Sequence, residues 1–533
     1  MGRFPDIDLV EHEDSNPAIQ IFGRRYFKDQ TPVEYLAEFL LVFCSPKKED
    51  GSERFEFPIY ASTPTEALSY FPKFRLGLKL FAFLGASKLE TRHPVHVKSF
   101  RQGIAEIANR SVVLYGMNAG SAVRLIQGLF SGFVGVAGDR TWTAHTFLPA
   151  SSGLLAREVL WKHAGQAGAA RNLSSEDDWG DAWRYFTTSS HSFMARGGEL
   201  LYLQLVNLFN SWGASSIAGT FEHGHHDAYQ HLGSLKTLAA LRQNLQENLC
   251  ALLNDGDRAI GPLGEFVNRA FERVGISSEA TNGPKEALLG WVPSQTAYEA
   301  LLFAWEANNI CEAQRGGLQK IALLRDLCVL HVMRSLCFQA ARVSSCAETI
   351  GFVGRYSWIA CSSGYDGNNS NNNSRKMAIN SYETVEGMLY RALRVYDGYD
   401  KRWASSESRL DDGDDNVLRL FRKIGKQVGV VVPRKGQGMR MTLPPHIVRL
   451  LVAALVKPGE RLRLDRFYKR IFAHYGLAID QDYVSKSVGA SNTQEDAKIF
   501  GVNASWFEEE LRRGGYLIPL SDAVSLVSNP YKG

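Results

Sequence analysis

TPVEYLAEFLLVF, residues 31–43, is the stretch on which the fold turns. Thr31 is a helix-capping residue type. Pro32 falls at the first helical position, where its missing N–H has no partner to lose. Glu34 stands three residues after the cap, within reach of the Thr31 amide. Helical periodicity takes over from here, and the same pattern predicts further helices at 64–86, 98–109, 119–130, 198–212, 234–253, 260–274, 296–312 and 317–340. Leu235, Leu238, Leu245, Leu249 and Leu252 form a core-facing stripe at three-, four- and seven-residue spacings. Strand signals are few before residue 420, and no repeat of solenoid period is found. The class read from the pattern is mainly α.

A chain of 533 residues exceeds what one hydrophobic core usually supports, which predicts two to four domains. Residues 1–30 are polar and proline-containing, an N-terminal arm that is either poorly ordered or draped over the surface. A helical body is expected over 31–360. CSSGYDGNNSNNNSRK (361–376) cannot bury a core and reads, with residues up to 378, as a loop or linker. Asn380 and Glu383 repeat the capping-box signature after it. ASSESRLDDGDDN (404–416) is a second polar stretch.

Residues 379–533 read as a basic, winged-helix-like α+β module. DNVLRLFRKIGKQVG (415–429) is a helix, and VVV and MRMTL flank the turn PRKGQG as a hairpin. LPPHIVRLLVAALV, LRLDRFYKRIFAHYG and SWFEEELRRGG give three helices before the strands of YLIPLSDAVSLVSNP. Leu464, Phe467, Tyr468, Ile471, Phe472 and Tyr475 are core at helical spacing rather than a base-stacking surface.

Charge is the informative quantity. Residues 415–475 hold 14 Lys and Arg against 3 Asp and Glu; this +11, within +4 overall, leaves −7 for the rest of the chain. One basic patch on a mildly acidic body points to a polyanionic partner. The candidate nucleic-acid contacts are Arg422, Lys423 and Lys426 on one helix, Arg434, Lys435 and Arg440 on the hairpin, and Arg463, Arg466 and Arg470 on a later helix. A hairpin tip carrying Arg-Lys-Gly suits a phosphate backbone or a minor groove.

Other classes find less support. The N-terminus MGRFPDIDLV has no apolar signal region, and no run approaches a membrane span, so a cytoplasmic protein is expected. The seven cysteines include no C-x-x-C pair and read as buried, reduced thiols. P-loop, G-x-S-x-G and H-E-x-x-H signatures are absent. Arg196, Gly197 and Gly198 precede a helix whose free amides could hold an anion, or the glycines merely let the chain turn in. FEHGHHDAYQHL (221–232) gathers four of the chain's 13 histidines. As a helix, His223, Asp227 and His231 share a face with His226 nearby; as a strand, His223, His225 and Asp227 do. Either could ligate zinc or manganese, but Gly224 and Gly233 weaken the helix, and neither arrangement reaches four ligands.

RGGELLYLQL, LPPHIVRLLVAALVKPGERL and the ending LSDAVSLVSNPY resemble stretches of the large accessory proteins encoded beside helicases in bacterial anti-phage defence islands, the Druantia-like and phosphorothioation-linked restriction systems. The resemblance implies a cytoplasmic, non-catalytic subunit acting with a DNA-dependent ATPase or nuclease supplied by another gene. The expectation is therefore a subunit without a cofactor that binds DNA and other protein subunits such as a helicase or nuclease. Two alternatives stay open: a metal-dependent hydrolase or nuclease built on residues 221–231, and a protein-only scaffold.

Overall fold

A computed structural model describes residues 2–8, 16–23, 26, 30–76, 149–161, 186–187, 197–211, 230–232, 238–271, 286–344, 356–362, 371–395, 407–489, 504–521 and 524–532. The elements begin with β1 (Arg3–Phe4), α1 (Pro17–Phe22), α2 (Pro32–Cys44), β2 (Ser69–Tyr70), β3 (Phe74–Leu76), β4 (Arg157–Trp161) and β5 (Phe186–Thr187). Next come α3 (Gly197–Asn210), α4 (Leu238–Phe271), β6 (Ala287–Leu288), β7 (Val292–Pro293), α5 (Ala297–Glu312), α6 (Gly317–Ser344) and β8 (Trp358–Cys361). The remainder is α7 (Asn371–Val395), α8 (Glu407–Asp414), a π turn (Asp415–Arg419), α9 (Leu420–Gln427), β9 (Val431–Val432), β10 (Arg440–Thr442) and α10 (Pro445–Leu455). It closes with β11 (Arg461–Arg463), α11 (Leu464–Tyr475), β12 (Leu477–Ala478), α12 (Gln481–Gly489), α13 (Ser505–Arg513), β13 (Leu517–Ser521) and β14 (Val524–Ser528). The protein is mainly α.

α2 starts where its sequence dictates: the Thr31 amide and hydroxyl both donate to Glu34 Oε2, at 2.7 and 2.8 Å. It packs closely on α3 through the Gly197–Gly198 pair. A Cβ at Gly198 would overlap the Tyr35 carbonyl, and one at Gly197 the Tyr35 ring. Gly198→Ala is expected to push the two helices apart and cost about 1–3 kcal/mol, seen as a lower urea-denaturation midpoint; an unchanged midpoint would show that α3 yields without cost.

Several expected elements differ. The chain from Pro64 to Leu76 is extended instead of helical, with β2 paired to β6 and β3 to β4. Pro72 interrupts the helix pattern by removing a donor. The helices expected at 234–253 and 260–274 are one, α4, running through Gly256 and Gly261. Gly256 is glycine because the Ala150 carbonyl lies where its Cβ would be. α7 begins inside the asparagine run, so Asn380 and Glu383 lie mid-helix instead of at a cap. Burial decides this: Ala378, Tyr382, Val385, Leu389 and Leu393 line its inner face. The arm's described pieces are packed, with Phe4 and most of α1 buried. The helices expected at 98–109 and 119–130 lie outside the described residues.

α6 is the axis of the structure. From Leu327 to Ala341 every residue is buried, with helices packed on several sides, including α2, α5, α7, α9 and α10. One apolar cluster runs from Phe4 to Val527, so the core is continuous across residue 361. β8 joins this continuity: it lies parallel to both β10 and β12 in a sheet ordered β12-β8-β10-β9. The β9–β10 hairpin forms as expected, but in this sheet and not with the terminal strands. Those form a separate sheet, ordered β11-β14-β13. The chain end is clamped to the α5–α6 connection, where the Arg315 guanidinium lies 3.7 Å from the Tyr531 ring centre and donates to Asn529 Oδ1 at 3.1 Å.

Candidate functional site

α9 is sharply two-sided. Leu420, Phe421 and Ile424 are buried, whereas Arg422, Lys423 and Lys426 reach the surface. Arg419, the last residue of the π turn, extends that polar face by one turn. The hairpin carries Arg434 across to it. These five cations and Gln427 line an open groove of about 450 Å³. Two carboxylates enter the arrangement. Asp415 pairs with Arg419 at 2.6 Å, and Glu386 of α7 accepts from Arg422 Nε and Nη2 at 2.6 and 2.8 Å. The Glu386 pair also fixes the Arg422 fork, which a surface guanidinium otherwise spends entropy to hold. Lys435, next to Arg434, is exposed at the hairpin tip.

The other expected basic residues part company with this surface. Arg440 lies within the sheet against the Cys361 thiol of β8, whose pKa is raised because burial outweighs that contact. Arg470 is consumed structurally: it is 13% exposed, takes both Glu460 oxygens at 3.1 and 2.9 Å, and donates to the Leu455 carbonyl at 2.7 Å. Arg463 and Arg466 remain at the surface, with Arg463 paired to Asp465 at 3.0 Å. The three therefore present no common set of surface cations. Helical spacing was right, but the loop before β11 supplied an acid that spacing does not reveal.

The glycine pair is not an anion site. The amide of Gly198 already donates to Glu38 Oε2 at 3.0 Å, so the protein's own carboxylate occupies the start of α3. Arg196 lies outside the described residues, as do His223, His225, His226 and Asp227. His231 is described and turns inward: its Nε2 lies 2.7 Å from His474 Nε2, and its ring meets Trp305 edge-on at 4.9 Å. Among the described residues, no three His, Cys, Asp or Glu side chains gather as metal ligands. Cys44, Cys311, Cys328, Cys337 and Cys361 are buried free thiols, with burial raising Cys44 to about 11 and Cys311 to about 12. Among the described residues no helix is long and apolar enough to cross a membrane.

His231 leads into a polar seam within the core. Glu306 of α5 accepts from Arg334 Nη1 and Nη2 at 2.8 and 3.0 Å and from His474 Nδ1 at 2.7 Å. Arg334 Nη2 lies 2.9 Å from His331 Nδ1, and His331 Nε2 lies 2.8 Å from Gln204 Oε1. Gln204 in turn donates to Ser335 Oγ at 2.9 Å. Burial alone would raise the Glu306 carboxyl, but Arg334 and His474 outweigh it and hold the group ionised. Burial, reinforced by Arg334, keeps His331 neutral, and burial also lowers His474. The seam is a neutralised ion pair flanked by two neutral imidazoles. It ties four helices together.

Sequence reasoning missed Arg419, Gln427, Glu386 and this seam. Arg419 was legible, three residues before Arg422 on one face. Glu386 was not, because nothing in the sequence places α7 beside α9.

No family model, curated protein or solved structure matches this chain.

Proposed function

We propose that the chain is a non-catalytic, nucleic-acid-binding accessory subunit of a bacterial, defence-type DNA-acting complex, and that the α9–hairpin groove is where it holds the phosphate backbone. The observation that carries this is the groove itself, lined by five cations on three elements. Lys and Arg so arranged neutralise phosphates and release condensed counterions. With six long polar side chains lining it, the groove favours backbone contact over readout of base edges. The resemblance to helicase-associated accessory proteins supports the same reading, with the ATPase or nuclease as a separate subunit in the cytoplasm.

The terminal unit suits a different partner. In chain order come α10, β11, α11, β12, α12, α13, β13 and β14; the β13–β14 hairpin follows α13, and β11 pairs with β14, as in a winged helix. The helix directly before the hairpin is where such a unit would meet a DNA groove. Here α13 carries Glu508, Glu509 and Glu510, while Arg512 and Arg513 are tied to Glu509 and Glu510. An acidic helix repels phosphate, so we assign this unit to contact with another protein subunit.

Titrating the full chain with single-stranded and duplex oligonucleotides across a salt series tests the main reading. Binding is expected, with log K falling linearly against log salt. Affinity that ignores salt, or no binding at about 50 mM salt or below, would remove the groove's assignment.

A further inference from the structure

We propose that Tyr390 is a base-stacking platform at the open end of the basic groove, so that the ligand is a nucleic acid presenting at least one unpaired base. This rests on the nucleic-acid reading of the groove and adds to it the class of strand.

The placement follows from two ion pairs. Glu386 of α7 holds Arg422 of α9, and Arg394 of α7 holds Asp414 of α8, at 3.0 and 2.9 Å. Numbers rise by eight along α7 as they fall by eight along the facing helix, so the two run antiparallel. Tyr390, midway, is level with Leu418 and Arg419. It is also four residues from Glu386, hence on the same side of α7 and about 6 Å further along its axis. Arg419 is one turn from Arg422 on the groove face. The groove's line of cations therefore continues towards the Tyr390 ring.

Tyr390 is 46% exposed, against 4% for Tyr382 two turns earlier on the same helix. It is nonetheless held in place. The Arg394 guanidinium lies 3.4 Å from its ring centre, and Asp414 fixes that guanidinium through both nitrogens. A rigid aromatic ring with a cation on one face, beside a cation-lined channel, combines the two features by which single strands are held: phosphates in the channel and a base on the ring. A fully paired duplex keeps its bases stacked on each other and has none to offer. A protein partner would use the exposed ring without regard to bases, and the test separates the two.

The full-length protein is titrated with a single-stranded oligonucleotide, the same strand made abasic throughout, and a blunt duplex. Tyr390→Ala is expected to weaken single-strand binding by about 5- to 100-fold, the range for one stacked base. Its salt slope and its affinity for the abasic strand should match the unaltered protein's, and Tyr390→Phe should bind normally. Equal single-strand affinity in Tyr390→Ala, an equal loss on the abasic strand, or a preference of the unaltered protein for the blunt duplex would overturn the proposal while leaving the groove in place. If the unaltered protein binds none of the three, the groove reading itself falls.

Discussion

Replacing Glu306 with alanine is expected to cost about 3–5 kcal/mol of folding stability. The carboxylate is fully buried and is the counter-charge of Arg334, whose side chain is 1% exposed. Removing it leaves a guanidinium without compensation in a site that water does not reach, together with the His474 Nδ1 that it also receives. An isolated buried cation is far costlier than a missing hydrogen bond between neutral groups. Replacing both members, as Glu306→Leu with Arg334→Met, is expected to cost less than the single change, because the uncompensated charge goes with its partner. The denaturation midpoints and unfolding rates of the double variant and of its two singles, Glu306→Leu and Arg334→Met, measure this. A double variant as damaged as the sum of the two singles would show that the pair is not coupled.

Reversing Lys423, Lys426 and Arg434 to glutamate should reduce nucleic-acid affinity on the order of 10²–10³-fold at about 0.1 M salt, since each neutralised phosphate contributes a factor of salt concentration to the power of about −0.9. The plot of log K against log salt should flatten by about three, one for each phosphate that is no longer neutralised. These side chains are half-exposed or exposed, so the melting midpoint should hold. Reversing Arg463 and Arg466, which lie off the groove, should change neither quantity to the same degree. Equal effects from the two sets would mean that the groove is not the binding surface and that overall charge alone governs binding.

The helical class and much of the C-terminal order were legible in the sequence because these depend on local signals. Thr31, Pro32 and Glu34 announce α2 within four positions, and the spacing of Phe467, Ile471 and Tyr475 places α11's buried side. What failed depended on distant partners. α7 starts among asparagines because its later turns bury against α6 and β8. Gly198 is explained by Tyr35, and spacing alone marks Arg470 as a nucleic-acid contact because Glu460 and the Leu455 carbonyl lie across a turn. The basic groove was half legible. Spacing names the residues of α9, but the groove needs Arg434 folded back over them and α7 beside them.

The five-residue π turn at Asp415–Arg419 sets the angular phase of everything after it. In an unbroken α-helix the eight steps from Asp414 to Arg422 turn through about 800°, which leaves the two side chains about 80° apart. One surplus residue in the turn brings this close to about 700°, so both point to nearly one azimuth, and α7 can hold them with Arg394 and Glu386. The bulge acts as a gear set one tooth back: it keys the cationic face of α9 to α7. A chain lacking one residue there would keep every positive charge of the groove and aim them elsewhere.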